Sequence, residues 1–157
     1  MILHCAPLLL NTGWTENNKS TYCYYYDGIT KSIANFLEKL DNERILISKK
    51  LQFEVESTKL WLIRTYNVNG SNLYECIQNN ISYKTIDAPK SIFHRYILED
   101  VPYGLVPLES LGKILNINLP YTSLVIDLAS CLLEIDFRKE GRNKDFLTDD
   151  LLSIIGL

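Results

Sequence analysis

The stretch ITKSIANFLEKLDNERILISKKL, Ile29 to Leu51, decides the fold class. Ile29, Ile33, Phe36, Leu37, Leu40, Ile47 and Leu51 mostly recur every three or four positions. That spacing lays a single apolar stripe along a helix of about 3.6 residues per turn. Lys31, Glu38, Lys39, Asp41, Glu43 and Lys49 mostly fall off the stripe and predict a solvated face. Taken alone, the stretch reads as a core helix that carries no chemistry.

On the upstream side, Asn11-Thr12-Gly13 and Glu16 to Ser20 are turn-rich. Tyr22 to Gly28 is compatible with a short extended segment closed by Asp27-Gly28. Two readings of its clustered tyrosines stand side by side: rings roofing the core with hydroxyls in water, or rings stacking on a ligand.

Downstream, Ser57 is placed to cap a helix over Thr58–Thr65, and Asn67 to Gly70 breaks it. Ser71 opens another short helix carrying Leu73, Ile77 and Ile81, and Asp87-Ala88-Pro89 closes that region. Ile92 to Leu98 again reads as helical, and Pro102 predicts a stop near Asp100, because it disfavours helical geometry at Val101. Pro107 suits the first turn of a helix through Leu115. Pro120 precedes a strongly apolar helix carried to Gly141, and Thr148 caps a last one through Ile155. With about six or seven helices, no sustained period-two alternation and no internal repeat, the expectation is a mainly α chain. Residues 1–157 are expected to form a single helical domain.

The 157 residues are 46% apolar and 22% charged, with a net charge of −3. Lys and Arg are scattered, which leaves no electrostatic footprint for nucleic acid. No apolar run approaches the roughly 18 residues of a membrane span, and Met1 to Leu10 lacks the marks of a signal peptide. A soluble, cytoplasmic protein with a small-molecule or protein partner is expected. Cys5, Cys23, Cys76 and Cys131 are far apart and make no metal-ligand spacing with His4 or His94, so reduced, mostly packed thiols are expected.

Fixed charge and backbone-restricting residues concentrate in HRYILEDVPYGLVP, His94 to Pro107. Arg95 supplies a planar fork suited to a carboxylate, Asp100 an acceptor-only group, and Pro102, Gly104 and Pro107 punctuate the backbone after them. On a continuous helix Glu99 is the local partner of Arg95, since residues five apart lie about 140° around the axis. Asp100 is thereby left to meet something distant, while His94 reads as a surface or packing residue. By residue type, His4 and His94 are the candidates for proton transfer near neutral pH. From residue types alone the plainer reading, an ordinary Arg95–Asp100 ion pair and a packed His4, is favoured, and the five-residue spacing counts against it.

This segment, above all Arg95-Tyr96, Glu99-Asp100-Val101-Pro102 and Gly104-Leu105-Val106-Pro107, resembles the signature of the octopine/nopaline (opine) dehydrogenases. His4-Cys5-Ala6-Pro7 with Leu9 to Gly13 is similar to that family's histidine segment. Tyr26 to Thr30, Asp41-Asn42-Glu43-Arg44, Leu73-Tyr74-Glu75 and Ala88-Pro89 agree in the same order. The resemblance implies the helical substrate domain that follows a Rossmann domain in enzymes coupling an amino acid to a 2-oxo acid and reducing the imine. It further implies His4 as catalytic acid/base, Asp100 as its carboxylate partner and Arg95 as a holder of a substrate carboxylate. NAD or NADP is implied as cofactor. No cofactor fingerprint precedes His4, so the resemblance implies that a Rossmann domain in cis or trans binds it. A non-catalytic helical remnant serving association, as a homo-oligomer, is the alternative expectation.

Overall fold

In chain order the helices are α1 (Cys5–Leu10), α2 (Thr12–Thr15), α3 (Lys31–Lys50), α4 (Thr58–Tyr66), α5 (Leu73–Gln78), α6 (Arg95–Leu98), α7 (Val106–Ile114), α8 (Pro120–Leu133) and α9 (Phe137–Glu140). A 3-10 turn at Ile81–Tyr83 and a π-helical turn at Val101–Leu105 complete them. The computed structural model describes residues 1–17, 21–143, 145 and 153; apart from Ser153, the helix expected over Thr148–Ile155 lies outside these. The mainly α expectation holds; α1 and α2 have no expected counterpart, and α9 is split from the helix expected to run on to Gly141.

α3 organises the rest. Thr30 caps it and Lys49 and Lys50 sit in its last turn, where cations favour the negative end of the helix dipole. Its buried Ala34, Leu37 and Leu40 join Leu8 of α1, Leu62 of α4, Ile77 of α5, Ile97 of α6 and Ile126 of α8 in the main core. Each fully buried Leu or Ile contributes about 1.5–3 kcal/mol. A smaller cluster of Ile47, Leu108 and Leu119 ties α3 to α7 and to the start of α8.

The solvated face expected for Asp41 and Glu43 is corrected: both are buried. They are buried because they satisfy the orphan amides of other helices. Glu43 accepts from the Tyr121 and Thr122 amides (2.8 and 2.7 Å) and the Thr122 hydroxyl (2.6 Å) at the start of α8. That helix has no side-chain cap of its own. Asp41 accepts from the Thr58 amide of α4 at 2.6 Å, and Glu38 from the Leu73 amide of α5 at 2.8 Å. α3 therefore sets the positions of α4, α5 and α8 by capping their N-termini.

The stop expected at Pro102 is also corrected. The chain passes from α6 through Asp100 into the π-helical turn and on into α7 without leaving helical geometry. A wider turn shifts the hydrogen-bond register by one residue, which accommodates both the missing proline N–H and the ring that clashes in a regular helix. Upstream, helical geometry begins only at Arg95, because His94 is extended (φ −130°, ψ 153°) and accepts the Tyr96 amide as a cap.

The helix from Pro120 does not reach Gly141. Glu134 adopts the left-handed conformation (φ 56°) and ends α8, after which Asp136 caps α9 and returns Phe137 to the core. Asn72, rather than Ser71, caps α5, and Ile81 lies outside it, exposed on the following turn. The extended segment expected at Tyr22–Gly28 reduces to one antiparallel bridge, Cys23 with Asp87, followed by turns. Its tyrosines do not roof the core with wet hydroxyls. Tyr22, Tyr24 and Tyr25 are buried, and the Tyr22 hydroxyl pairs with Thr15 at 2.7 Å. All four cysteines are free thiols, with Cys5 and Cys76 buried and Cys131 exposed.

Candidate active site

His4 immediately precedes α1, and three aromatic or acidic side chains from distant segments fix it. Its ring stacks on Tyr96 of α6, with centroids 4.1 Å apart and planes at 9°. The Tyr24 hydroxyl donates to the His4 carbonyl, and Tyr24 is itself fully buried. His4 Nδ1 lies 2.8 Å from Asp100 Oδ2 across 96 positions of sequence.

Asp100 occupies the junction between α6 and the π-helical turn. The uninterrupted helical path through Pro102 is what holds the carboxylate at the height of His4. Burial alone raises its pKa, but hydrogen bonding to His4 and the positive Met1 amine 3.0 Å from Oδ2 outweigh burial and hold it below the usual carboxylate range. An ionised carboxylate only accepts, so the hydrogen on Nδ1 belongs to His4. Nε2 is left as the proton-exchanging atom of the ring.

His4 lines a cavity of about 270 Å³ together with Tyr25, Arg44, Thr58, Trp61 and Tyr83. Tyr25 and Tyr83 stack at 4.0 Å to form one wall. Arg44 is fixed within it: Nε donates to Asp41 Oδ1 at 2.9 Å, and Nη2 lies 2.7 Å from the same oxygen in an ion pair and donates to the Glu56 carbonyl at 2.7 Å.

The structure brings His4 and Asp100 together and directs Arg95 elsewhere. The Arg95 guanidinium is 70% exposed and pairs with Glu99 at 3.1 Å, the local partner its helical spacing indicates. His94 is half-buried, edge-on to Tyr96 at 4.5 Å, and its pKa is lowered by burial and by the nearby Arg95 and His4. Sequence reasoning overlooked Arg44, Tyr24 and Tyr96 as parts of the site. Tyr96 sits within the signature segment and Arg44 within the Asp41–Arg44 match, so both were marked by position but not by role. Nothing local to Tyr24 distinguishes it from its neighbours.

A dinucleotide needs a strand, a Gly-rich turn and a helix N-terminus to cradle its phosphates. Among the described residues extended pairing is limited to the Cys23–Asp87 bridge, and no such cradle occurs. Nor is any helix among them long and apolar enough to cross a membrane.

A family model for the alpha-helical domain of NAD/NADP octopine/nopaline dehydrogenases matches residues 1–133. The opine dehydrogenase of Arthrobacter sp. (strain 1C) is 38% identical over 156 residues, which cover 99% of this chain and 43% of that protein. The tauropine dehydrogenase of Arabella iricolor is 24% identical over 139 residues, covering 75% and 35% respectively. An octopine dehydrogenase structure with NADH and L-arginine matches with a TM-score of 0.70 at 20% identity, over 99% of this chain and 45% of that one. That likeness establishes the same helical fold. The chain spans less than half the length of these curated relatives. By the family match and the Arthrobacter relative, it belongs to the alpha-helical domain family of the NAD/NADP octopine/nopaline dehydrogenases.

Proposed function

We propose that this chain is the substrate-binding and catalytic helical part of a cytoplasmic opine dehydrogenase, which condenses an amino acid with a 2-oxo acid and reduces the product. The observation that carries this reading is the 2.8 Å contact between His4 Nδ1 and Asp100, made beside a cavity that His4 lines. Condensation joins the amine nitrogen to the 2-oxo carbon and expels the oxygen as water, which requires a proton delivered to that oxygen. His4 Nε2 is the donor, and Asp100 holds the ring in one tautomer and stabilises its protonated form. NADH or NADPH, bound mainly by a Rossmann domain in cis or trans, supplies the hydride that reduces the imine carbon. Arg95 is the partner for the 2-oxo acid carboxylate. Its exposed pair with Glu99 is the kind worth at most about 1 kcal/mol, so a substrate carboxylate displaces Glu99 at little cost.

The test is reconstitution. The chain is combined with a matching Rossmann domain, and NADH or NADPH oxidation is followed with an amino acid plus pyruvate. A rate needing both substrates is expected, falling by about 10²-fold or more in His4→Ala. No rate with any pairing of domains and substrates contradicts the reading.

A second reading, association without catalysis, draws on one surface. Leu10 of α1 and Leu124 of α8 are about half exposed and border an apolar cleft with Leu9, Phe36 and Leu128. Sedimentation that shows self-association, together with no response to substrates, favours it.

A further inference from the structure

Resting on the proposed function, we infer that Arg44 anchors the α-carboxylate of the amino-acid substrate, and that Trp61, Tyr25 and Tyr83 receive its uncharged, apolar side chain. The guanidinium has more donors than its structural duties use. Nε and Nη2 suffice to bind Asp41 and the Glu56 carbonyl, whereas Nη1 has no hydrogen-bond partner among the described residues. Asp41 is buried and capped onto α4, so it fixes the fork without being available to a ligand. A half-buried guanidinium held rigidly at a cavity wall is suited to a carboxylate.

The cavity dimensions select among carboxylates. At about 270 Å³ the space falls just under the range of drug-sized sites, about 300–1,000 Å³, and suits a single amino acid rather than a nucleotide. Arg44, Thr58 and Trp61 also line an adjoining cleft with Val55 and Glu56, where the Glu56 carboxylate is already engaged by Arg64. The stacked Tyr25–Tyr83 wall and the Trp61 ring offer faces to an apolar side chain, and no carboxylate lines this cavity to receive a cationic one. With the carboxylate on Arg44, the amine lies on the His4 side of the cavity. Arg95, exposed, paired with Glu99 and outside this cavity's lining, is left to the oxo acid. Two cations thus serve two carboxylates.

The isotope-labelled chain is titrated with L-phenylalanine, with phenethylamine and with pyruvate, following the Trp61 indole N–H and the Arg44 guanidinium by NMR. L-phenylalanine is expected to shift both signals in a saturable way. Phenethylamine, which lacks the carboxylate, is expected to bind about tenfold or more weaker, and pyruvate to leave Trp61 unmoved. Arg44→Lys keeps a cation beside Asp41, so that it folds, and is expected to weaken L-phenylalanine by about tenfold or more. Equal binding of phenethylamine, an unaffected Arg44→Lys, a response to pyruvate alone or no response to any compound overturns the inference. Failure of the underlying acid/base reading is read separately, from the His4→Ala rate in the reconstituted enzyme.

Discussion

Asp100 and Arg95 stand five positions apart and meet opposite fates, one turned toward His4 and the other out to Glu99. Asp100→Asn removes the acceptor that selects the His4 tautomer. The expected consequence is a fall of about 10²–10⁴-fold in the rate of NAD(P)H oxidation, with little change in melting temperature. Arg95→Ala separates binding from stability. Because its pair is exposed, unfolding free energy is expected to change by no more than about 0.5 kcal/mol, while the KM for the 2-oxo acid rises at least about tenfold. A large stability loss with unchanged kinetics would contradict the assigned role. The helical spacing of Arg95 and Glu99 made their pairing legible in the sequence. The meeting of His4 with Asp100 was legible only through family resemblance, since no local rule joins residues 96 apart.

Among the elements, α3 was the most readable, because a twenty-residue apolar stripe constrains a helix strongly. What periodicity misread was its charged face. A buried carboxylate is indistinguishable in sequence from a solvated one until the helices it caps are placed. Glu43→Ala is therefore expected to cost about 2–4 kcal/mol in denaturant unfolding, since it strands two amides and a hydroxyl at the start of α8. The π-helical turn was misread because Pro102 normally ends a helix, and the register shift that tolerates it leaves no local signature. Its packing gives a contrast of two glycines. A methyl at Gly141 would lie 2.6 Å from the Pro102 carbonyl oxygen and 2.7 Å from that of Phe137, both rigid backbone. At Gly104 it would meet the flexible end of Met1 at 2.8 Å. Gly141→Ala is expected to cost about 1–3 kcal/mol and Gly104→Ala less than about 1 kcal/mol by thermal melting.

For the molecule as a whole, mainly helical architecture and approximate helix positions followed from periodicity and caps, while the tertiary polar network did not. Glu109 illustrates the gap. Buried on α7, it accepts from Arg138 of α9 at 2.8 and 2.6 Å, Lys113 at 2.7 Å and Ser123 of α8 at 2.7 Å. Burial pushes its pKa up, but these donors prevail and bring it from 4.5 to about 2. A pKa depressed by folding adds stability that is complete above the unfolded value and disappears as pH falls through the folded one. Denaturation midpoints are therefore expected to drop as pH falls from about 4.5 toward about 2, and Glu109→Gln to flatten that drop.

Folding alone brings the His4 imidazole and the Asp100 carboxylate, 96 positions apart, into one oriented pair. Nitrogen NMR of the histidine rings tests it most directly. Neutral His4 is expected to carry its hydrogen on Nδ1, and Asp100→Asn to perturb this signal while leaving His94 nearly unchanged. A His4 ring with its hydrogen on Nε2, or one indifferent to Asp100→Asn, would contradict it.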